Sequence, residues 1–321
     1  MRVEGIWVRR GLVVAAAFVP LIAQAASAGF LVRAGGIIGL SMLLGLGLNF
    51  TLGYVGLFDL GFIAFYAVGA YTAAIAAKHG CPFLLAVPLA AAASMAARAL
   101  LGVTILRLRG DYLAVVTMGF GEIARLVINN LDSITNGPKG MQVAAPRIFG
   151  VVLAGNTPFY YMILGAVVAA VIASERLENS RIGRAWVAIR EDETAAPLSG
   201  LPVARLKLLA FVVSAAFAGV AGALFAYWEG FVTPESFVFW ESILIVSIVV
   251  LGGMGSVMGV LVGALILSGS PLAMAAFLSP ALINYRYLFF GLILVLVTLF
   301  RPQGLLPSRR REAELIGGEG A

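Results

Sequence analysis

Ten apolar stretches follow one another along the chain, most of them close to the ~20 residues that a helix needs to cross a bilayer. They lie at about 12–28, 34–52, 57–77, 83–106, 112–131, 158–174, 208–228, 241–251, 256–270 and 285–300, the pair 241–251 and 256–270 being short. Between them the chain carries few charges: 12% of its 321 residues, against 61% hydrophobic ones. A soluble domain averages about a quarter charged residues, and a soluble protein this apolar lacks the polar surface to cover itself. The pattern excludes a soluble enzyme, a disordered chain and a nucleic-acid-binding domain. It predicts an all-α polytopic membrane protein with about 8–10 transmembrane helices, some short or broken. The whole of 1–321 reads as one transmembrane domain. The stretch 12–28 also resembles a signal peptide, with Arg9 and Arg10 before it and Ala23-Gln24-Ala25 near its end. A retained helix is the expectation, because so many spans follow.

The charges orient the spans. With the N-terminus inside, the outer loops hold Arg33, Lys78, Lys139, Arg147 and Arg286, and the spans hold Arg98 and Arg125. The other fifteen of the 22 basic residues fall inside, a clear positive-inside bias. Both termini, including the tail 301–321, are then cytoplasmic. The formal charge of +6 records topology and gives no support for an anionic cargo. Two loops are long. Residues 132–157 lie outside and carry the turn signals Asn136-Gly137-Pro138. Residues 175–207 lie inside and gather six basic and five acidic side chains, the only sizeable hydrophilic segment before the tail. A transporter that answers to a cytoplasmic partner has to present its contact surface there.

The rare residues exclude several chemistries. A single cysteine, Cys81, precludes an intrachain disulfide. His79 beside it is half of a metal site with no second half, so no metal is expected; Gly80 and Pro82 mark a short loop. The three lysines follow Ala77, Pro138 and Leu206, whereas a phosphate-cradling P-loop needs Gly directly before its Lys. No nucleophile–base set is apparent, and no cofactor is expected.

Glu122 and Arg125 share a helix face three residues apart. Counting from the cytoplasmic turn at 107–111, Arg98 and Glu122 fall at similar depth on adjacent antiparallel helices. Intramembrane charges are costly and face the bundle or a water-filled path. An Arg98–Glu122 or Arg125–Glu122 pair is expected, as a register-fixing pair or as part of a translocation path that Asn129 also lines. Glycines cluster twice, at Gly45, Gly47, Gly53 and Gly56 and at Gly252, Gly253, Gly255 and Gly259. Each cluster reads as a helix break at a central path or as close packing by small residues. In the cytoplasmic loop, Glu193, Ala195, Ala196 and Gly200 have the spacing Glu-x-Ala-Ala-x-x-x-Gly. A short helix there suits docking into a partner's groove; an ordinary solvated loop is the alternative.

The wording of the chain resembles the permease subunits of ATP-binding-cassette importers for branched-chain amino acids, in their LivM-type branch. The resemblance rests on Gly53-Tyr54-Val55-Gly56-Leu57, Leu108-Arg109-Gly110-Asp111-Tyr112, Gly121-Glu122-Ile123, Thr135-Asn136-Gly137-Pro138-Lys139-Gly140, Leu251-Gly252-Gly253-Met254-Gly255-Ser256 and Phe300-Arg301-Pro302-Gln303-Gly304-Leu305. Each piece alone is weak; their order and spacing are specific to the family, less so to its cargo. The resemblance implies a type II importer-like permease in a bacterial inner membrane. A LivH-like second permease, two cytoplasmic ATPase subunits and an extracytoplasmic solute-binding protein would be its partners. It implies that 175–207 is the ATPase coupling loop, with Arg184, Glu193, Ala195, Ala196 and Gly200 in it. Leucine, isoleucine and valine are the default cargo; permeases for urea, amides and other amino acids share the wording. Two departures stand out: Pro197 inside the coupling motif, and Asp59 where the family usually has serine. A competing class is an ion-coupled transporter using Glu122, Asp59 and Arg125 as a relay.

Overall fold

A computed structural model describes residues 29–105, 110–148, 151–153, 155–277, 286–301 and 303–307. The expected first span 12–28, the loop arginines Arg107 and Arg109, and the tail from 308 onward lie outside the described residues. Among the described residues ten helices longer than one turn succeed one another: α1 (Gly29–Asn49, continued as a π-helix over Phe50–Val55), α2 (Phe62–Lys78), α3 (Phe83–Ile105), α4 (Asp111–Asn130), α5 (Asn156–Glu178), α6 (Arg181–Glu191), α7 (Val203–Glu229), α8 (Phe239–Gly252), α9 (Val257–Phe277) and α10 (Arg286–Phe300). Six helical stretches among the described residues are long and apolar enough to cross a membrane, and α2 and α9 carry shorter apolar runs. The nine expected spans that fall among the described residues each correspond to a helix, with limits that differ by up to seven residues.

Successive spans run in opposite directions, as their end contacts show. At one end Arg33 binds Glu229 through both carboxylate oxygens, at 2.8 and 2.9 Å. The loops after α4 and α7 meet at the same end. There β1 (Met141–Gln142) pairs antiparallel with β4 (Phe231–Val232), Met141 opposite Val232. A small hairpin of β2 (Arg147–Ile148) and β3 (Val151–Val152) completes that loop. The other end carries α6.

α1, α2 and α7 form the centre. From Leu43 to Val55 every residue of α1 is buried, whereas α3 leaves Leu84, Leu85, Leu89 and Leu100 exposed. A largely apolar helix in the middle and apolar outward faces beside it are what a hydrocarbon surrounding selects. With no hydrophobic force between helices in lipid, close approach depends on small residues. A Cβ at Gly222 would lie 2.3 Å from the Tyr66 carbonyl oxygen, and one at Gly69 2.6 Å from the Gly219 Cα. Gly45 and Gly47 serve the same purpose: their Cβ atoms would press on Val260 and Phe217 at 2.8 Å each, and α1 runs unbroken through both. Gly222→Ala is expected to destabilise the protein by about 1–3 kcal/mol, because backbone cannot yield as a side chain can. Thermal unfolding in detergent checks this, with Gly165→Ala as control, where nothing lies within 4 Å.

Candidate functional site

The segment 175–207 is built on α6. Ser180 caps it, its hydroxyl accepting from the Gly183 amide at 3.1 Å. The buried face of α6 is Gly183, Trp186 and Ile189. Trp186 is fully buried, 5.9 Å from the Phe50 ring, and its indole N–H donates to the Leu206 carbonyl at 2.8 Å. These residues join Tyr54, Val55, Ala196, Ala210 and Phe211 in an apolar cluster separate from the main core. α6 thus lies against the π-helical end of α1 and the start of α7. Arg184 stays exposed and donates to the Asn179 carbonyl at 3.0 Å.

The Glu193–Gly200 motif does not lie on an α-helix. α6 ends at Glu191, and the expected short helix gives way to a tight turn followed by a 3-10 turn over Ala196–Ser199. Two local causes are visible. Asp192 draws the chain into an Asx turn: its Oδ1 accepts from the Thr194 hydroxyl at 2.6 Å and from the Thr194 and Ala195 amides at 2.7 and 3.0 Å. These bonds, that from the Thr194 hydroxyl foremost, hold the Asp192 carboxyl below the ordinary aspartate range. Pro197 then sits in the first turn of the 3-10 segment, where its missing N–H is harmless. Gly200 ends the segment at a φ of 77°.

Ala196 points inward, while Ala195, Pro197, Leu198, Ser199 and Gly200 are exposed. Leu198 is 90% exposed, the most of any described large hydrophobic side chain. Glu193 is turned back on the protein. Its carboxylate takes the Lys207 ammonium at 2.6 Å, and Lys207 is 3% exposed. The motif is therefore a knuckle: an apolar tip on a base anchored by an ion pair with a buried lysine and by a buried tryptophan. The role of Lys207 and the projection of Leu198 are not apparent from the sequence, because Leu177, Leu201 and Leu206 lie in the same loop and nothing in the spacing singles out Leu198.

The intramembrane charges sort differently from one of the two expected pairings. Glu122 does pair with Arg125, whose Nε lies 3.0 and 3.1 Å from the two carboxylate oxygens. Arg98 does not take part. It pairs with Asp59, in the irregular segment before α2, and both are buried, at 1% exposure each. The guanidinium is held between the Phe65 and Phe211 rings, 4.5 and 4.1 Å from their centroids. Of the two alternatives expected, the Arg98–Glu122 one does not form, because depth along a helix fixes height but not rotation. The segment 57–61 enters the bundle beside α4, where the Thr117 hydroxyl takes the Leu60 amide at 3.1 Å. Asp59 also accepts from the Gly61 amide at 3.2 Å. Irregular backbone is tolerated at such depth only with partners of this kind. The Glu122–Arg125 pair is shielded far less, with side-chain exposures of 43% and 23%. It lies midway along α4, between the exposed Met118, Ile123, Leu126 and Val127. Asn129, one turn on, is half-buried.

Of the expected helix breaks, that at Gly252, Gly253 and Gly255 separates α8 from α9, with φ values of 120° at Gly253 and 81° at Gly255. Gly53 does not break α1. It lies within the π-helix, and Gly56 ends it at a φ of 78°. The two clusters meet: the buried Asn49 side chain accepts from the Gly255 amide at 2.9 Å, and a Cβ on Gly53 would lie 2.5 Å from that nitrogen. Among the described residues no group of three or more His, Cys, Asp or Glu is placed to hold a metal ion.

Comparison with known proteins adds the context. Residues 15–298 match the family described as branched-chain amino acid transport system / permease component. The chain is 44% identical to the high-affinity branched-chain amino acid transport system permease protein LivM of Salmonella typhimurium, over 87% of this chain and 70% of that one. Against LivM of Escherichia coli K12 the identity is 43% over 86% and 70%. LivH of Salmonella typhimurium is 30% identical over 56% of this chain and 60% of its own. No solved structure matches.

Proposed function

The chain belongs to the family of branched-chain amino acid transport permease components, and from that premise we propose that it is a translocation subunit of an ATP-driven importer of leucine, isoleucine and valine. It is a multi-pass membrane transport component and pairs with a second, LivH-like permease. ATP is hydrolysed in two partner ATPase subunits, and an extracytoplasmic binding protein selects the solute. The observation that carries this reading is the knuckle at Ala196–Gly200, because it combines an exposed apolar tip with an anchored base. A passive membrane subunit needs such a contact to receive motion from outside the membrane. The end that bears it also bears Arg176, Arg181, Arg184, Arg190, Arg205 and Lys207, which by the positive-inside rule is the cytoplasmic end.

The outward face of α4 lines the path. Glu122 and Arg125 are too exposed to face hydrocarbon, so that face abuts the second permease around a wet route. Their mutual pairing leaves no net charge there, in keeping with a zwitterionic cargo. Asp59 is shielded by Arg98 and is remote in kind from a proton relay.

The test is uptake of labelled leucine by a strain lacking its own branched-chain amino acid transport, supplied with this chain and its partner subunits. Uptake is expected only with the ATPase subunits present. Uptake that persists without them and collapses with an uncoupler would establish an ion-coupled transporter instead. Uptake of urea with no uptake of leucine would overturn the cargo and keep the ATP-driven class.

A further inference from the structure

The Glu193–Lys207 pair and the Trp186 indole hold the docking knuckle to α7, and a further side chain, Arg190, ties it to the end of α1. It stands next to last in α6, immediately before the knuckle, and its Nη1 donates to the Gly53 carbonyl at 2.7 Å. Its stem lies over Gly56, where a Cβ would be 3.0 Å from the Arg190 Cγ. Gly53 is also where the π-helix meets the break between α8 and α9. A Cβ on Gly255 would lie 3.3 Å from the Gly53 carbonyl oxygen and 3.6 Å from Arg190 Nη1, and Asn49 binds the Gly255 amide. The far side of the break is closed by chain beyond α10: the Leu305 amide donates to the Leu251 carbonyl at 2.9 Å, and that of Leu306 to the Gly252 carbonyl at 3.0 Å. Gly253 and Gly304 pack backbone to backbone, a Cβ on Gly304 meeting the Gly253 Cα at 2.5 Å. Four parts of the chain converge on one joint: α6, the π-helix, the α8–α9 break and the segment after α10. π-Helical turns are often found at functional positions, and here the turn exposes a helix-terminal carbonyl that a guanidinium satisfies.

We propose that Arg190 is the transmission residue of the permease: it clamps the docking knuckle to the Gly53–Gly255 joint, so that displacement of the knuckle moves the end of α1 and the α8–α9 break as one body. This rests on the reading that the knuckle docks an ATPase subunit. Arginine suits the task because its planar head meets a carbonyl at full stem length, whereas lysine offers a mobile point charge. The clamp stays closed throughout the transport cycle.

The experiment uses the complete complex in proteoliposomes. Arg190→Gln is expected to retain the ATPase subunits within twofold of wild type and to hydrolyse ATP, while leucine carried per ATP falls at least tenfold. Arg190→Lys is expected to lie between the two. A second arm replaces the clamp covalently. In a Cys81→Ser background, Gly56→Cys with Arg190→Cys places the two Cβ atoms at about the 3.8 Å of a disulfide, since a Cβ on Gly56 lies 3.8 Å from the Arg190 Cβ. The oxidised double variant is expected to transport and the reduced one to be uncoupled.

Transport by Arg190→Gln within twofold of wild type would overturn the proposal. So would loss of the ATPase subunits from that variant, which would place Arg190 in the docking surface itself. Arrest on oxidation with activity on reduction would show that the contact must open. Leucine uptake by wild type without ATPase subunits would remove the reading beneath the proposal, and the proposal with it. Wild type that needs them, together with an unaffected Arg190→Gln, would remove the proposal alone.

Discussion

Arg98→Ala is expected to destabilise the protein by about 3–5 kcal/mol, the range for stranding one member of a buried ion pair. The buried Asp59 carboxylate would lose its cation and keep the Gly61 amide as a donor. The Phe65 and Phe211 faces would lose the cation between them, worth about 2 kcal/mol when desolvated. The measurement is the midpoint of thermal unfolding in detergent, read beside the amount of protein in the membrane. A joint replacement, Asp59→Leu with Arg98→Met, is expected to recover most of the loss, because removing both charges also removes their desolvation cost. Equal losses in the single and joint variants would show that packing volume matters at this site and charge pairing does not. Glu122→Gln, whose partner is much better hydrated, is expected to cost under about 1 kcal/mol and to show its effect in transport.

Leu198→Asp is expected to abolish retention of the ATPase subunits and, with it, leucine uptake. Loss of an interface anchor costs about 2 kcal/mol or more, roughly a thirtyfold loss in affinity, and a buried carboxylate adds to that. The side chain is 90% exposed, so the fold should be untouched, and unfolding midpoints within a degree or two of wild type would verify it. Co-purification of tagged ATPase subunits reads the docking. Ser199→Ala on the same turn is the mild control, and retention of the subunits by Leu198→Asp would remove the knuckle from the coupling surface. Glu193→Ala works differently: it leaves the buried Lys207 ammonium without its carboxylate, and so loosens the base of the turn as well as its surface.

Much of the architecture is legible in the residues. The apolar stretches mark the spans, the glycines at 252–255 mark a true break, and the spacing of Glu122 and Arg125 sets a pair that forms. The Glu-x-Ala-Ala-x-x-x-Gly spacing locates the knuckle within the right loop. Its conformation is not legible from that spacing, because Asp192 and Pro197 impose a turn where the pattern suggests a helix. The first glycine cluster is equally ambiguous in sequence. Gly45 and Gly47 serve helix contact, and Gly53 serves the meeting of two distant segments.

What the sequence alone determined is therefore local: which stretches enter the membrane, which end of the bundle collects positive charge, and which ion pair forms within one helix turn. Hydropathy, charge bias and the 3.6-residue period all act over a single span. Only the tertiary structure decided that Arg98 finds Asp59, that Lys207 holds Glu193, and that Arg190 and Gly255 converge on Gly53. In an apolar surrounding every greasy helix face is nearly as well satisfied by lipid as by a neighbour, so the choice of neighbour and its rotation rest on backbone approach at small residues. Those contacts join residues far apart in the chain, 137 positions for Arg190 and Gly53, and no pattern within one span encodes them.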